Sequence, residues 1–401
     1  MHRGTRRVYK CPLNGSISHA LGQFSQIDGI FGINRNELGE GHMREFDYQA
    51  LKSRTWSNEI VALVAQIHEH KGRQELYLAA KPAALDRLIE IARIQSTEGS
   101  NSIEGIRTTG PRLRQLVADK TTPKNRDEEE ILGYRNVLDL IHESYEYIPV
   151  RPNYILQLHR DLLRYTGYAF GGIFKSTPNE IGTMLPNGET VTLFTPLEPR
   201  EVPEAMERLC DAYNAAIAEG EVDPLILIPC FVLDFLCIHP FRDGNGRMSR
   251  LLTLLLLYRA GYLVGRYVSI EKAIADTKDS YYAALSSADA GWHAGENDPK
   301  PFIGYLLGVV LSCYRDFDSR VNVVEGAGAR STSYDIVRRY ALGKVGAFAK
   351  RDALEACPSL GSSSVESALK KLVDEGALRR IGAGRKTRYV RSDSIGGESQ
   401  L

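Results

Sequence analysis

The 401-residue chain lacks the marks of several protein classes. Its 50 Lys/Arg and 50 Asp/Glu cancel, so no overall charge excess draws it to nucleic acid or to an anionic membrane. Its six cysteines, Cys11, Cys210, Cys230, Cys237, Cys313 and Cys357, include no Cys-x-x-Cys pair. Scattered in mostly apolar or helical contexts, they argue against a zinc site or a disulfide framework and for reduced thiols in a cytoplasmic protein. No apolar run follows the basic opening MHRGTRRVYK, so no secretory signal is read there. The longest apolar stretches, 224–238 and 251–258, fall short of the ~18 residues a membrane span needs. Asp234 interrupts the first, and Arg250 and Arg259 flank the second. Both read as central core helices, and no membrane partner is expected.

With 43% hydrophobic and 25% charged residues, the chain has the composition of a globular protein of two or three domains. Residues 1–59 form a mixed lead-in, loosely structured to about 45. Apolar residues at three- and four-residue spacing predict helices from about 46 to 95. More follow over 127–146, 153–164, 200–219, 224–238, 246–261, 271–287 and 300–316. The alternation in 180–194 around Pro-Asn-Gly predicts a β-hairpin. The small-residue stretch VEGAGARSTS, 324–333, reads as a linker, so a main helical core is placed at 60–320 and the linker at 321–333. Beyond it, 334–391 predicts helices at 334–341, 350–356 and 361–375 and then two strands, the outline of a winged helix. Residues 392–401 read as a flexible tail. The fold class is mainly α.

The stretch that carries chemistry is HPFRDGNGRMSR, 239–250, set between two apolar runs. His239 ends the first helix, and Pro240 enforces the break. Phe241 anchors the loop. Asp243 is a hard oxygen ligand suited to Mg²⁺ shared with phosphate. Gly244, Asn245 and Gly246 leave backbone N–H groups uncovered where the next helix begins, which makes an anion site. Arg247 and Arg250, three apart, share a helix face and can fork onto phosphates. A histidine titrating near neutrality beside a phosphate suits general-base work. Taken singly, His239 also fits a helix C-cap, Gly-Asn-Gly a turn, and the arginines a solvated face. Their conjunction in twelve residues points to chemistry.

At every defined position this segment resembles the His-x-Phe-x-(Asp/Glu)-Gly-Asn-Gly-Arg-x-x-Arg motif of the Fic family. The resemblance, which covers roughly 60–320, implies an all-helical Fic core that transfers AMP from ATP to a hydroxyl side chain of a target protein. By that resemblance His239 would be the general base and Asp243 would hold Mg²⁺ between the α- and β-phosphates. Gly244, Asn245 and Gly246 would line the anion hole, Arg247 would bind the β-phosphate, and Arg250 the γ-phosphate. Related Doc-type kinases carry a basic residue where this chain has Gly246, so glycine favours AMP over phosphate transfer.

STEGSNSIEGI, 96–106, with its flanking Arg107, reads as a helix interruption and restart. On the bare residues, Ser100 and Glu104 fit a simple capping arrangement. SNSIEG, 100–105, also resembles the inhibitory (Ser/Thr)-x-x-x-Glu-(Gly/Asn) motif found N-terminal to Fic cores. The resemblance implies that Glu104 pairs with Arg250 and diverts it from the γ-phosphate; in some relatives the same glutamate positions water to remove AMP. By the same resemblance the hairpin is a flap beside the active site, and Tyr281 and Tyr282 contact the adenine. Trp292 and His293 read as structural. The C-terminal region 331–391 holds 13 Lys/Arg against 6 Asp/Glu, with Arg379, Arg380, Arg385, Lys386 and Arg388 clustered in the wing. DNA binding, protein docking and homodimerisation stay open for it. The main expectation is an autoinhibited protein adenylyltransferase acting on Ser, Thr or Tyr, with self-modification open. The alternatives are a de-AMPylase or bifunctional enzyme using Glu104, and a nucleotide-sensing DNA-binding regulator.

Overall fold

A computed structural model describes residues 8–11, 44–80, 82–184, 190–325, 332–344, 346–357, 360–384 and 387–392. The lead-in between 12 and 43, the linker residues 326–331, the Pro-Asn-Gly turn, Arg385 with Lys386, and the tail from 393 lie outside the described residues.

In chain order the elements are β1 (Val8–Cys11), α1 (Asn58–Ala80), α2 (Pro82–Ile103), α3 (Gly110–Val117), α4 (Arg126–Ser144), α5 (Pro152–Leu162), β2 (Glu180–Met184), β3 (Thr190–Phe194), α6 (Val202–Glu219), α7 (Pro224–Ile238) and α8 (Asn245–Arg259). They continue with α9 (Ile270–Asp276), α10 (Lys278–Asp289), α11 (Lys300–Glu325), α12 (Ser333–Gly343), α13 (Lys350–Ala356), α14 (Ser362–Asp374), β4 (Leu378–Ile381) and β5 (Arg388–Arg391). No described helix is long and apolar enough to cross a membrane.

The described residues fall into two compact units. The first takes those up to Val64, Thr97–Tyr262 and Glu271–Gly308; the second takes Ala65–Ser96, Leu263–Ile270 and the chain from Val309. The boundary expected near 320 therefore lies within the second unit and inside α11.

In the first unit α7 and α8 are buried around almost their whole circumference, as helices that are apolar on all sides must be. The one acidic residue of α7, Asp234, is matched on every side. Tyr48 Oη donates to its Oδ2 at 2.6 Å, Trp292 Nε1 donates to Oδ1 at 2.6 Å, and Arg44 Nη2 lies 3.3 Å away. A buried carboxylate is tolerated only with such partners. Strand β2 pairs antiparallel with β3 and, on its other side, parallel with β1.

In the second unit, α12, α13 and α14 close on Ile336, Val337, Phe348, Val365, Leu369, Leu372 and Leu378. The antiparallel pair β4–β5 follows, in register Leu378↔Arg391. Arg379, Arg380 and Arg388 are exposed on this pair.

Two elements differ from their sequence patterns. No interruption occurs at 97–103: α2 runs unbroken to Ile103. The small residues serve close packing instead, since a Cβ on Gly99 would lie 2.8 Å from the backbone nitrogen of Lys272. The helix expected over 271–287 is two helices, α9 and α10. Thr277 separates them, its Oγ1 turned back to donate to Ala273 O at 2.8 Å, a side-chain bond that competes with the helical ladder.

Candidate active site

The α7–α8 connection is a tight reversal. His239 caps α7 in the left-handed conformation (φ 51°, ψ 61°), and Pro240 blocks any continuation. Gly244 begins α8 with φ 85°, a conformation that favours glycine. Between them Phe241 is fully buried and stacks on His159, ring centroids 3.7 Å apart. The Asn245 side chain closes the loop: Oδ1 accepts from Phe241 N at 2.9 Å and Nδ2 donates to Phe241 O at 2.8 Å. His159 is the outer strut. Its Nε2 donates to Asp243 O at 2.9 Å, and its Nδ1 accepts from Gly172 N at 3.0 Å. Burial holds this ring neutral, with a pKa of about 4.

His239 is 9% exposed. Its Nδ1 lies 3.2 Å from Leu236 O. A carbonyl only accepts, so Nδ1 carries the proton and Nε2 is the basic nitrogen. Burial first, then the neighbouring Lys175 charge, lower its pKa to about 4. This corrects the expectation of titration near neutrality: the ring is neutral throughout the physiological range because it is desolvated.

Asp243 is half-buried, and its Oδ1 accepts from Gly244 N at 2.6 Å. Burial raises its pKa, and Glu130 and Glu104 push the same way against Arg247. A carboxylate in that position gains from a cation. Arg247 is 1% exposed. Its Nη2 lies 2.8 Å from Glu130 Oε2, while Arg126 Nε donates to the other oxygen of Glu130 at 2.8 Å. Among the described contacts, Nε and Nη1 of Arg247 are buried without a partner. Two stranded donors on a cation at the start of α8 fit an anion with several acceptor oxygens.

Arg250 is held differently. Its Nε donates to Ser100 Oγ at 2.8 Å, and its Nη2 to Ser100 O at 3.0 Å and Glu104 Oε1 at 2.7 Å. Ser100 is fully buried, whereas the Glu104 side chain is 33% exposed. Burial would raise the Glu104 pKa, but the Arg250, Arg247 and Lys278 charges outweigh it and hold the carboxylate below its ordinary value. Lys278 Nζ donates to Ile103 O at 2.6 Å and so caps the end of α2. The Glu104 carboxylate lies directly over the first turn of α8, where a Cβ on Gly246 would be 2.3 Å from Oε1. An anionic side chain thus occupies the helix start that the backbone N–H groups make attractive to anions.

Tyr281 is buried; burial raises the pKa of its hydroxyl, and the nearby Arg250 charge opposes that. Tyr282 is half-buried, with Lys278 Nζ 5.8 Å from its ring centroid. Ser100, Glu104, His239, Asp243, Gly244, Asn245, Gly246, Arg247, Arg250 and Tyr281 all belong to one connected neighbourhood. The motif-based reading missed Glu130, His159, Lys175 and Asn179. Only burial of a charged or polar residue on an otherwise apolar helix face could have flagged the first two.

With this geometry in view, comparison with known proteins gives a consistent answer. Residues 149–257 match the model of the Fic/DOC family. Protein adenylyltransferase Fic of Drosophila willistoni is 30% identical over 228 residues, which are 56% of this chain and 41% of that protein. The chain spans about two fifths of the length of that relative. Two solved structures share the fold. A Fic family protein from Desulfovibrio desulfuricans G20 superposes with a TM-score of 0.54 at 23% identity, over 87% of this chain and 99% of that one. A Fic domain containing signaling protein from Bacteroides thetaiotaomicron VPI-5482 does so with a TM-score of 0.52 at 25% identity, over 65% of this chain and 96% of that one. Residues 149–257 are thus similar to Fic domains, and the fold is one that Fic proteins share.

Proposed function

We propose that the protein is an autoinhibited adenylyltransferase that moves AMP from ATP to a Ser, Thr or Tyr hydroxyl of a protein. The observation that carries this reading is Arg247, a buried guanidinium with two unpartnered donors beside Asp243 and the open helix start. His239 Nε2 takes the proton of the acceptor hydroxyl. The acceptor oxygen bonds to the α-phosphorus, the bond from that phosphorus to the bridging oxygen breaks, and pyrophosphate leaves. Arg247 and the N–H groups of α8 stabilise the charge that gathers on the leaving phosphates. Asp243 would hold Mg²⁺, which when bound would supply charge neutralisation for the phosphates. Gly246 leaves room at the helix start that a larger residue would fill.

Glu104 is the restraint. It holds Arg250 and covers Gly246, so a γ-phosphate meets a carboxylate where it needs a cation. The β2–β3 hairpin serves as a flap for an extended target segment. Val191 and Leu193 of β3 are 39% and 44% exposed, which gives such a segment apolar surface to cover. The unit from α12 to β5 reads as a winged helix. Cys210, Cys230, Cys237, Cys313 and Cys357 are buried and form no disulfide among the described residues. A second reading rests on the same glutamate. Ionised and a third exposed at the cradle, Glu104 can also orient water for removal of AMP.

The direct test is the position of the label. With Glu104→Gly, ATP labelled on the α-phosphorus should label protein and ATP labelled on the γ-phosphorus should not. Labelling from the γ-position alone would make the protein a kinase and overturn the proposal.

A further inference from the structure

The segment that leads into the hairpin wraps the turn that carries His239. Lys175 N donates to Pro240 O at 2.8 Å, and Lys175 Nζ donates to Ile238 O at 3.3 Å. One residue therefore grips the carbonyls on both sides of His239. Lys175 Nζ also donates to Asn179 Oδ1 at 2.8 Å, which orients the Asn179 amide so that its Nδ2 donates to Phe241 O at 3.1 Å. Lys175 is only 4% exposed, and both of its ammonium acceptors here are neutral oxygens. Burying an ammonium against neutral acceptors is unfavourable, and burial lowers its pKa to about 8. A hydrophobic residue would fill the site at less cost if filling were the only need. The turn it holds is itself strained, since His239 sits at φ 51°, where a residue with a Cβ rarely stays without support.

We propose that Lys175 is a positioning residue for His239: it clamps the left-handed turn that presents the imidazole and sets a fixed cation beside the ring. The proposal rests on His239 acting as the base in AMP transfer. The charged groups acting on the ring are Lys175, which disfavours imidazolium, and Glu104 at the end of α2, which favours it. A lysine clamp thus adds to burial in keeping the base unprotonated, holds it in place, and ties that state to the segment entering the flap.

The test uses the full chain carrying Glu104→Gly, with Lys175→Met, Lys175→Gln and Lys175→Arg added one at a time. Lys175→Met should lower kcat at least about tenfold, with the KM for ATP changed less than about twofold, because the base and not the nucleotide site is disturbed. Its acid limb should move to higher pH. Lys175→Arg should restore most of kcat, since it keeps the charge and the donors. Lys175→Gln keeps a donor to Ile238 O without the charge; it should fold even where Lys175→Met does not, and should still show the shifted acid limb. Carbon-13 NMR titration of the His239 ring reads the same shift without turnover. Should the Glu104→Gly parent transfer no AMP, the activity reading fails while the NMR comparison still decides the clamp. An unshifted His239 titration, or a Lys175→Gln variant with the parent's kcat and pH profile, overturns the inference.

Discussion

The loop at 239–245 and the end of α2 at 100–104 meet at one point, yet they are built on opposite principles. The loop is held from every side. His159, Asn245, Lys175 and Asn179 fasten successive carbonyls and amides of a reversal that includes two left-handed residues. The end of α2 reaches the same place on a few polar contacts to one arginine and one lysine. A reaction site must keep its geometry through each turnover, so over-determination suits the loop. In the proposed function the end of α2 is a restraint, and a restraint must be removable. Hanging it on exchangeable hydrogen bonds and a partly exposed ion pair makes its release a matter of a few kcal/mol, within reach of a binding partner.

The comparison can be broken most forcefully from the loop side. His239→Ala in the Glu104→Gly background removes the base and should cut AMP transfer by about 10²–10⁴-fold, with ATP binding by calorimetry nearly unchanged. Retained turnover would mean that the loop presents no base. The second test strikes the packing of α2. Gly99→Ala places a Cβ 2.8 Å from the Lys272 backbone nitrogen. It should cost about 1–3 kcal/mol of stability in urea unfolding and at the same time raise transfer, because Glu104 is pushed off Arg250. A stability loss with no gain of activity would separate the packing from the restraint.

Acid should loosen the loop before the restraint. His159 and His239 have folded pKa values of about 4, below the ordinary histidine value of 6.5. Their contribution to stability is complete above pH 6.5 and is lost as pH falls toward 4, at roughly 1.4 kcal/mol for each pH step of one and for each ring. Glu104 is held below its ordinary 4.5, so its ion pair loses its contribution only at lower pH still. Thermal melts between pH 7 and 4 should fall steadily, and His159→Gln should flatten the slope. The smallest effect belongs to Ser100→Ala. Losing one of the contacts to Arg250, about 1 kcal/mol, should raise transfer about fivefold and leave Glu104 in place.

Much of the site was legible because it is local in sequence. The run 224–238 matches α7 to the residue, since Pro240 and a change from apolar to polar mark its end. Asp243, the glycine-flanked Asn245 and the two arginines lie within twelve positions. What escaped notice is what tertiary packing brings in. Glu130 looks like any charged residue in the acidic opening turns of α4, and its bridging of Arg126 and Arg247 depends on the meeting of distant segments. Lys175 and Asn179 look like polar loop residues, and their value lies in carbonyls some sixty positions away. Gly99 reads as a helix breaker when its role is to admit a neighbouring backbone. The neutrality of His239 follows from burial, which the side chain alone does not disclose.

The central claim is that a working transfer site is held back by one carboxylate. Intact-protein mass after incubation with ATP and Mg²⁺ tests it most directly, on the wild-type chain, Glu104→Gly, and Glu104→Gly with His239→Ala. The account predicts little added mass on the first, one or more AMP on the second and none on the third. Equal AMP loading of the wild type and Glu104→Gly would contradict it.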